Sequence, residues 1–358
     1  MRHVLIMAGG SGKRLWPLSR QDMPKQLLRI LGGKSLLRLA YDRLDGLVGP
    51  EQVWVCTGTD YAHVVAEELP ELPPENILGE PEGRDSLNAI AWTAAVLAAS
   101  DPDAVMAVVA SDQIMRPTST FQRALREGFE VAEADEHALV TFGVVPTTPH
   151  TGYGYLHWGE GLPDHPDVRR VLAFKEKPDR TTAEGYLDSG EYWWNSGMFI
   201  WTANRAMAEF ELQQPAMYAA MQRIATAVDT PAYDAVLSET WELMPKISLD
   251  YAVMEHAEGI AVIPVDIGWS DVGSWDALFD VLNLDEDGNG FKGAGPDHVT
   301  LDTRNTLVYS DKLTVTIGLE DLVIVDTSDV LLVCHRDRAQ DVKQIVNMLK
   351  DRDGGAYL

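Results

Sequence analysis

The sequence predicts an α/β protein built on a doubly wound, mainly parallel sheet, followed by a small β-solenoid-like module and a terminal helix. Three observations predict it. Short β-branched runs alternate with longer stretches of helical spacing up to about residue 145, the mark of βαβ units. A glycine-rich turn follows the first run directly. The composition changes near residue 285, beyond which short apolar runs recur between aspartate-rich turns.

Four runs read as strands of the large sheet: His3 to Met7, Gln52 to Cys56, Ala104 to Val109 and Ala138 to Val144. Between them Ser35 to Val48, Tyr61 to Leu69, Ser86 to Ala99 and Phe121 to Ala134 carry apolar residues at helical spacing. From Thr147 to about Asp280 the pattern is mixed, with helices near Arg205 to Phe210 and Tyr218 to Val228, and reads as an insertion continuing the same domain. The run Asp285-Glu286-Asp287-Gly288-Asn289-Gly290, with Gly293, Gly295 and Pro296 after it, reads as a linker. It divides a domain 1–284 from a module 285–358. In that module Thr306 to Tyr309, Leu313 to Ile317, Leu322 to Val325 and Val330 to Cys334 read as short strands, closed by a helix from Arg338 to Lys350.

A length of 358 residues with 46% hydrophobic residues supports one large core with an appendage. The formal net charge of -26 repels polyanions, so nucleic acid or an anionic membrane would need a concentrated basic patch, and none is present. The clustered cations lie between Lys13 and Lys25 among glycines and suit a small anion such as phosphate. Cys56 and Cys334 are too far apart in sequence for a metal cluster or disulfide framework, which fits a reducing cytoplasm. The first apolar run is too short for a secretory segment, and no later run has membrane-spanning length.

The densest signal is Ala8-Gly9-Gly10-Ser11-Gly12-Lys13-Arg14-Leu15-Trp16-Pro17-Leu18-Ser19-Arg20, followed by Pro24-Lys25-Gln26. Glycines directly after a strand let backbone N–H groups approach phosphate. A Walker A loop would need glycine and a hydroxyl residue where Met7 and Arg14 stand, and a dinucleotide fingerprint meets Leu15 in place of its last glycine. The acidic run at 285 resembles the start of a calcium loop, yet Pro296 occupies the position of its bidentate glutamate.

This segment resembles the nucleotidyltransferase signature of the mannose-1-phosphate guanylyltransferases. The resemblance extends in the family's order through Thr141-Phe142-Gly143-Val144-Val145-Pro146, Thr151-Gly152-Tyr153-Gly154-Tyr155, Phe174-Lys175-Glu176-Lys177-Pro178, Trp194-Asn195-Ser196-Gly197-Met198-Phe199, Asp250-Tyr251-Ala252-Val253-Met254-Glu255 and Gly268-Trp269-Ser270-Asp271-Val272-Gly273-Ser274-Trp275. It implies the nucleotide-diphospho-sugar transferase fold, GTP and mannose 1-phosphate as substrates, and a homodimer as an admissible assembly.

The chemistry explains the residue types. A sugar phosphate is already largely dianionic at neutral pH, its second pKa being about 6, so catalysis must screen charge rather than create a nucleophile. Asp112, past the end of a strand, suits a cap or turn equally well when taken alone. The resemblance implies that Asp112 and Asp271 together hold Mg²⁺, that Lys25 meets the α-phosphate, and that Arg14 meets the departing phosphates. It also implies that Gly9, Gly10, Gly12 and Lys13 cradle the nucleotide with Arg84 and Asp85, that Lys177 holds the sugar phosphate, and that Gly154, Glu176 and Asn195 line the sugar.

Two positions depart from the family. Where it commonly reads Arg-Asn-Thr-Ala-Pro-Ala this chain has Arg84-Asp85-Ser86-Leu87-Asn88-Ala89, and Gln113 follows Asp112 in place of the usual histidine. Asp85 either reinforces recognition of guanine or alters base choice. A glucose or heptose 1-phosphate is the nearest rival to mannose 1-phosphate. A catalytically silent nucleotide-sugar sensor is the rival of another class, disfavoured because Arg14, Lys25, Asp112, Lys177 and Asp271 are all present.

Overall fold

A computed structural model describes residues 1–10, 12–101, 103–293, 298–353 and 355–358, the 353 side chain excepted. Ser11 of the glycine turn, and Gly295 and Pro296 of the acidic run, lie outside the described residues. The chain divides into two compact units, the first comprising 1–9, 41–111 and 115–269 and the second 10–40, 112–114 and 270–358.

In chain order the elements are β1 (Arg2–Met7), α1 (Leu36–Asp42), β2 (Val53–Gly58), α2 (Ala62–Glu68), β3 (Ile77–Glu80), α3 (Ser86–Ser100), β4 (Val105–Ala110), α4 (Thr118–Ala134) and β5 (Leu139–Val144). They continue with β6 (Tyr155–Gly161), β7 (Arg169–Lys175), α5 (Arg180–Ser189), β8 (Tyr192–Thr202), α6 (Ala203–Gln213), α7 (Pro215–Ala227), α8 (Tyr233–Trp241) and β9 (Ile260–Val265). The last part holds β10 (Gly290–Lys292), β11 (His298–Leu301), β12 (Leu307–Tyr309), β13 (Thr314–Ile317), β14 (Leu322–Asp326), β15 (Leu331–His335) and α9 (Val342–Asp353).

The first unit holds a 9-stranded sheet in the order β3-β2-β1-β4-β8-β5-β9-β7-β6. The run β3-β2-β1-β4 is parallel, as the βαβ pattern predicts. The expectation of a mainly parallel sheet fails beyond it. β8 runs antiparallel to both β4 and β5, and β6 and β7 form an antiparallel pair. For β6 and β7 the physical reason is connection length, because a short loop joins them and parallel neighbours need a long crossover. β6 also pairs with β8, so β8, β5, β9, β7 and β6 close a circuit of pairings.

Both faces of this sheet are covered. Phe199 and Trp201 on β8 join the cluster built with Ala91 and Trp92 of α3, Phe210 of α6 and Met221 of α7. Ile200 between them points to the other face, where Gly128 of α4 leaves room: a Cβ there would lie 2.5 Å from Ile200 Cδ1. Strand alternation thus explains why β8 is apolar almost throughout.

In the second unit the strands pair largely in parallel ladders of β-helix type. β12 lies between β10 and β14 in one sheet, β11 pairs β13 in another, and β15 returns antiparallel to β14. Leu307, Val323 and Val325 pack there with Val342 and Val346 of α9, and with Leu15, Trp16 and Trp275. The acidic run is no loose linker. Asp285 Oδ1 accepts from the N–H groups of Asp287 and Asn289 at 3.0 and 2.7 Å, and the buried Asn289 donates to the Thr303 carbonyl at 2.9 Å. The closing helix starts later than its sequence pattern predicts, because Arg336–Asp341 forms a 3₁₀ turn first. α1 is shorter than the apolar spacing from Ser35 to Val48 predicts, ending at Asp42. Cys334 is half-buried rather than sealed in a core.

Candidate active site

Of the phosphate-type residues, Gly9 belongs to the first unit and Gly10, Gly12, Lys13, Arg14 and Lys25 to the second. Gly10 and Gly12 have φ of +100° and +56°, and a Cβ on Gly12 would lie 2.5 Å from Lys25 Cβ and 2.7 Å from Ser19 Oγ. Any side chain there would expel Lys25 from its place. Lys25 opens a 3₁₀ turn after Pro24 and is 8% exposed. Its Nζ donates to Asp112 Oδ2 and to the Asp271 carbonyl, each at 2.8 Å.

The two acidic segments are tied to each other beside it. The N–H of Ile114 donates to the Ser270 carbonyl at 2.9 Å, and that of Ser270 returns to Ile114 at 3.0 Å. Asp271 Oδ1 accepts from the Gly273 N–H at 3.1 Å. Trp275 then anchors the turn by donating to the Trp16 carbonyl at 2.9 Å. Lys25 thus joins the Asp112 carboxylate to the Asp271 carbonyl. Lys13 reaches Asn347 Oδ1 at 3.5 Å, a weak bond, and Arg14 is exposed.

The sugar-type residues meet in the first unit, where β6, β7 and β8 pair. Gly154 precedes β6, and its carbonyl accepts from the Asn195 N–H at 2.8 Å. A Cβ at Gly154 would lie 2.6 Å from Glu176 Oε2 and 3.2 Å from Asn195 Cβ. Glycine alone fits between these two side chains. Glu176 is 5% exposed and its Oε1 meets Lys177 Nζ at 2.7 Å. Burial lowers the Lys177 pKa, but the hydrogen bond and charge of Glu176, with the charge of Asp250, raise it by more. Tyr153 supports the turn, stacking on His150 with ring centroids 3.9 Å apart and meeting Trp194 and Trp269 edge-on.

Asn195 differs from its simplest reading as an open sugar ligand. Its Nδ2 donates to Asp250 Oδ1 at 2.9 Å and its Oδ1 lies 3.0 Å from Thr141 Oγ1. Each end of the amide already has a protein partner, leaving one N–H and one lone pair.

At the start of α3, Arg84 donates to the Met244 carbonyl and to Glu82, both at 2.7 Å. Asp85 is the exposed cap of that helix at φ 67°, its Oδ1 accepting from the Ser86 N–H at 3.0 Å. Gln113 is buried.

Sequence reasoning assigned no role to Glu80, Asp250 or Glu255. Glu80 ends β3, a strand of four residues too short to register as a periodic run. It is 6% exposed, with Oε1 lacking a hydrogen bond and Oε2 3.8 Å from where a Gly9 Cβ would stand. Burial, then repulsion from Asp85, raise its carboxyl pKa to about 7. Between the unfolded value and about 7 the unfolded chain ionises while the folded one keeps its proton. Stability is therefore lost as pH rises through that window. Relative to wild type, Glu80→Gln should gain on the order of 3 kcal/mol between pH 4 and pH 8. Urea melts at both pH values check this, and a pH-independent difference would rule the shift out.

Comparison with known proteins supplies the class first. Residues 3–288 match the family model described as nucleotidyl transferase, and 296–349 match that described as the MannoseP isomerase/GMP-like β-helix domain. The chain is thus a nucleotidyltransferase with a C-terminal β-helix domain. It is 42% identical to the mannose-1-phosphate guanylyltransferase of Klebsiella pneumoniae over 99% of this chain and 75% of that protein. It is 40% identical to that of Escherichia coli K12 over 97% and 73%. A solved structure from Thermus thermophilus, described as a mannose-1-phosphate geranyltransferase, superposes with a TM-score of 0.87 at 34% identity, covering 98% of this chain and 99% of that one. The chain belongs to the mannose-1-phosphate guanylyltransferase family. Among the described residues no helix is long and apolar enough to cross a membrane.

Proposed function

We propose that this enzyme transfers GMP from GTP to α-D-mannose 1-phosphate, giving GDP-mannose and pyrophosphate by direct in-line displacement. A phosphate oxygen of the sugar phosphate forms a bond to the α-phosphorus as the bond to the β-phosphate oxygen breaks, and pyrophosphate leaves with that electron pair. The observation that carries the reading is the Lys25 ammonium held between Asp112 and the Asp271 carbonyl, a cation fixed between two acidic segments beside a glycine turn.

In this reading Gly9, Gly10, Gly12 and Lys13 receive the triphosphate, Lys25 the α-phosphate and Arg14 the departing phosphates. Arg84 and Asp85 serve the nucleoside, Lys177 the sugar phosphate, and Gly154, Glu176 and Asn195 the hydroxyls. Asp112 and Asp271 would hold Mg²⁺. The Asp112 carboxylate on that lysine, and the Asp271 carboxylate on the residue whose carbonyl also meets it, are hard oxygen donors of the kind this ion takes from protein, with phosphates completing the set. When bound, Mg²⁺ supplies charge that neutralises the triphosphate. The chain's own part is to orient both substrates and keep Lys25 desolvated where negative charge develops.

The same proposal covers residues 1–284 as catalytic domain, a solenoid reading of 285–358 and a cytoplasmic setting. It also covers a homodimer. Pyrophosphate release with Mg²⁺, crossing GTP, ATP, UTP and dTTP with mannose, glucose and heptose 1-phosphates, tests the reaction. The expected result is fast release with GTP and mannose 1-phosphate only. Turnover with another pair would move the substrate assignment to the Asp85 departure, and tight GDP-mannose binding without turnover would replace the enzyme by a sensor.

A further inference from the structure

The run Asp250 to Glu255 stands out in the sequence without a role, and the structure places both of its acidic ends against the sugar-type residues of the first unit. Residues Asp250–Met254 form a π-helical turn, a form of helix rare in proteins and frequent at functional sites. At its far end Glu255 Oε1 accepts from the Glu176 N–H at 2.9 Å and from Lys175 Nζ at 3.1 Å, which pins the backbone that carries Glu176. At its near end Asp250 Oδ1 takes the Asn195 amide at 2.9 Å.

Part of the Asp250 residue reaches the surface but its carboxyl is enclosed, and it shares the charge of Lys177 with Glu176. Burial, then repulsion from Glu176, raise its carboxyl pKa to about 7. Fold stability gives no reason to set two carboxylates against one lysine, since an uncompensated acid in a pocket destabilises. A ligand supplies the reason. A sugar phosphate brings an anion for Lys177 and hydroxyl donors for the carboxylates that the lysine leaves behind.

Resting on the proposed reaction, we infer that Asp250 is a second hydroxyl-accepting carboxylate, which with Glu176 reads two neighbouring hydroxyls of the sugar and so determines which sugar phosphate is used. Glu255 is a positioning residue that acts through the backbone of Glu176. The substrate exchanges an internal ion pair for its own two kinds of group at once, so a molecule with phosphate but no matching hydroxyls, or hydroxyls but no phosphate, satisfies only half of the pocket.

The test compares wild type with Asp250→Asn on mannose 1-phosphate and on its 2-deoxy, 3-deoxy and 4-deoxy analogues, with GTP titrated separately. The amide of this variant keeps an oxygen for the Asn195 side chain, and a GTP KM equal to that of wild type shows that the variant is folded. The expected result is a loss in kcat/KM for mannose 1-phosphate of about 10- to 100-fold, the worth of a hydrogen bond to a charged group. The loss vanishes for the one analogue that lacks the hydroxyl Asp250 accepts, because that bond is already absent there. An equal loss for all four sugars, or no loss at all, would overturn the assignment and leave Asp250 as a support for Asn195. A wild-type enzyme inert towards all sugar phosphates would remove the reaction beneath it, a result distinct from either.

Discussion

Lys25→Met should lower kcat for pyrophosphate release by about 10²- to 10³-fold, the effect of removing one preorganised donor from a developing anion. Methionine keeps most of the buried aliphatic stem, so packing beside Gly12 survives and the loss reports charge. Asp112 loses its partner at 2.8 Å and the Asp271 carbonyl loses its donor, which adds repulsion between the acidic segments in the free enzyme. The defect should fall on kcat more than on the GTP KM, since the charge matters most as the α-phosphate is attacked. Steady-state kinetics at saturating GTP decide it. A variant within threefold of wild type, roughly 0.7 kcal/mol, would take Lys25 out of the catalytic role.

The second large effect is expected at Asp271. Asp271→Asn preserves a side-chain acceptor for the Gly273 N–H, now met at 3.1 Å, so the turn keeps its shape while the charge is lost. With half of the proposed ion-binding pair gone, activity at physiological Mg²⁺ should drop by about 10³-fold or more, since such an ion contributes several kcal/mol. Raised Mg²⁺ or Mn²⁺ should recover part of it, because the remaining carboxylate and the substrate phosphates still offer oxygens. A titration of activity against metal concentration measures this. An unchanged metal dependence would show that Asp271 serves the turn alone.

Much of this architecture is legible in the sequence where one local rule decides it. The parallel strands β1, β2 and β4 alternate with helices at spacings that only a crossover satisfies, and Gly12 stands where φ is positive and a neighbour is too close for a Cβ. β3 escapes notice because four residues show no period, and with it goes Glu80, whose importance lies in burial. The antiparallel course of β8 follows from tertiary pairing, which no local pattern encodes. Asn195 is found by its motif, yet its engagement with Asp250, 55 residues on, depends on how β8 meets the π-helical turn. Asp285 to Gly290 has the composition of a turn, yet the structure buries Asn289 and ties its backbone and side chain to the exposed Asp285.

The ion pair between Lys25 and Asp112 has a further consequence when seen as an ion exchanger loaded with its own counter-ion. A bare lysine in such a glycine turn would capture any passing orthophosphate or sulfate, and the enzyme would spend its time inhibited by common salts. Here an incoming anion must displace a fixed carboxylate at 2.8 Å, which a monovalent or weakly held anion does poorly. In the proposed reaction a metal–triphosphate complex would bring the anion for the lysine and the cation for the carboxylate in one molecule, leaving no charge stranded. On the proposed reaction, selectivity for the chelated nucleotide over free phosphate would reside in the resting state, before any recognition of base or sugar.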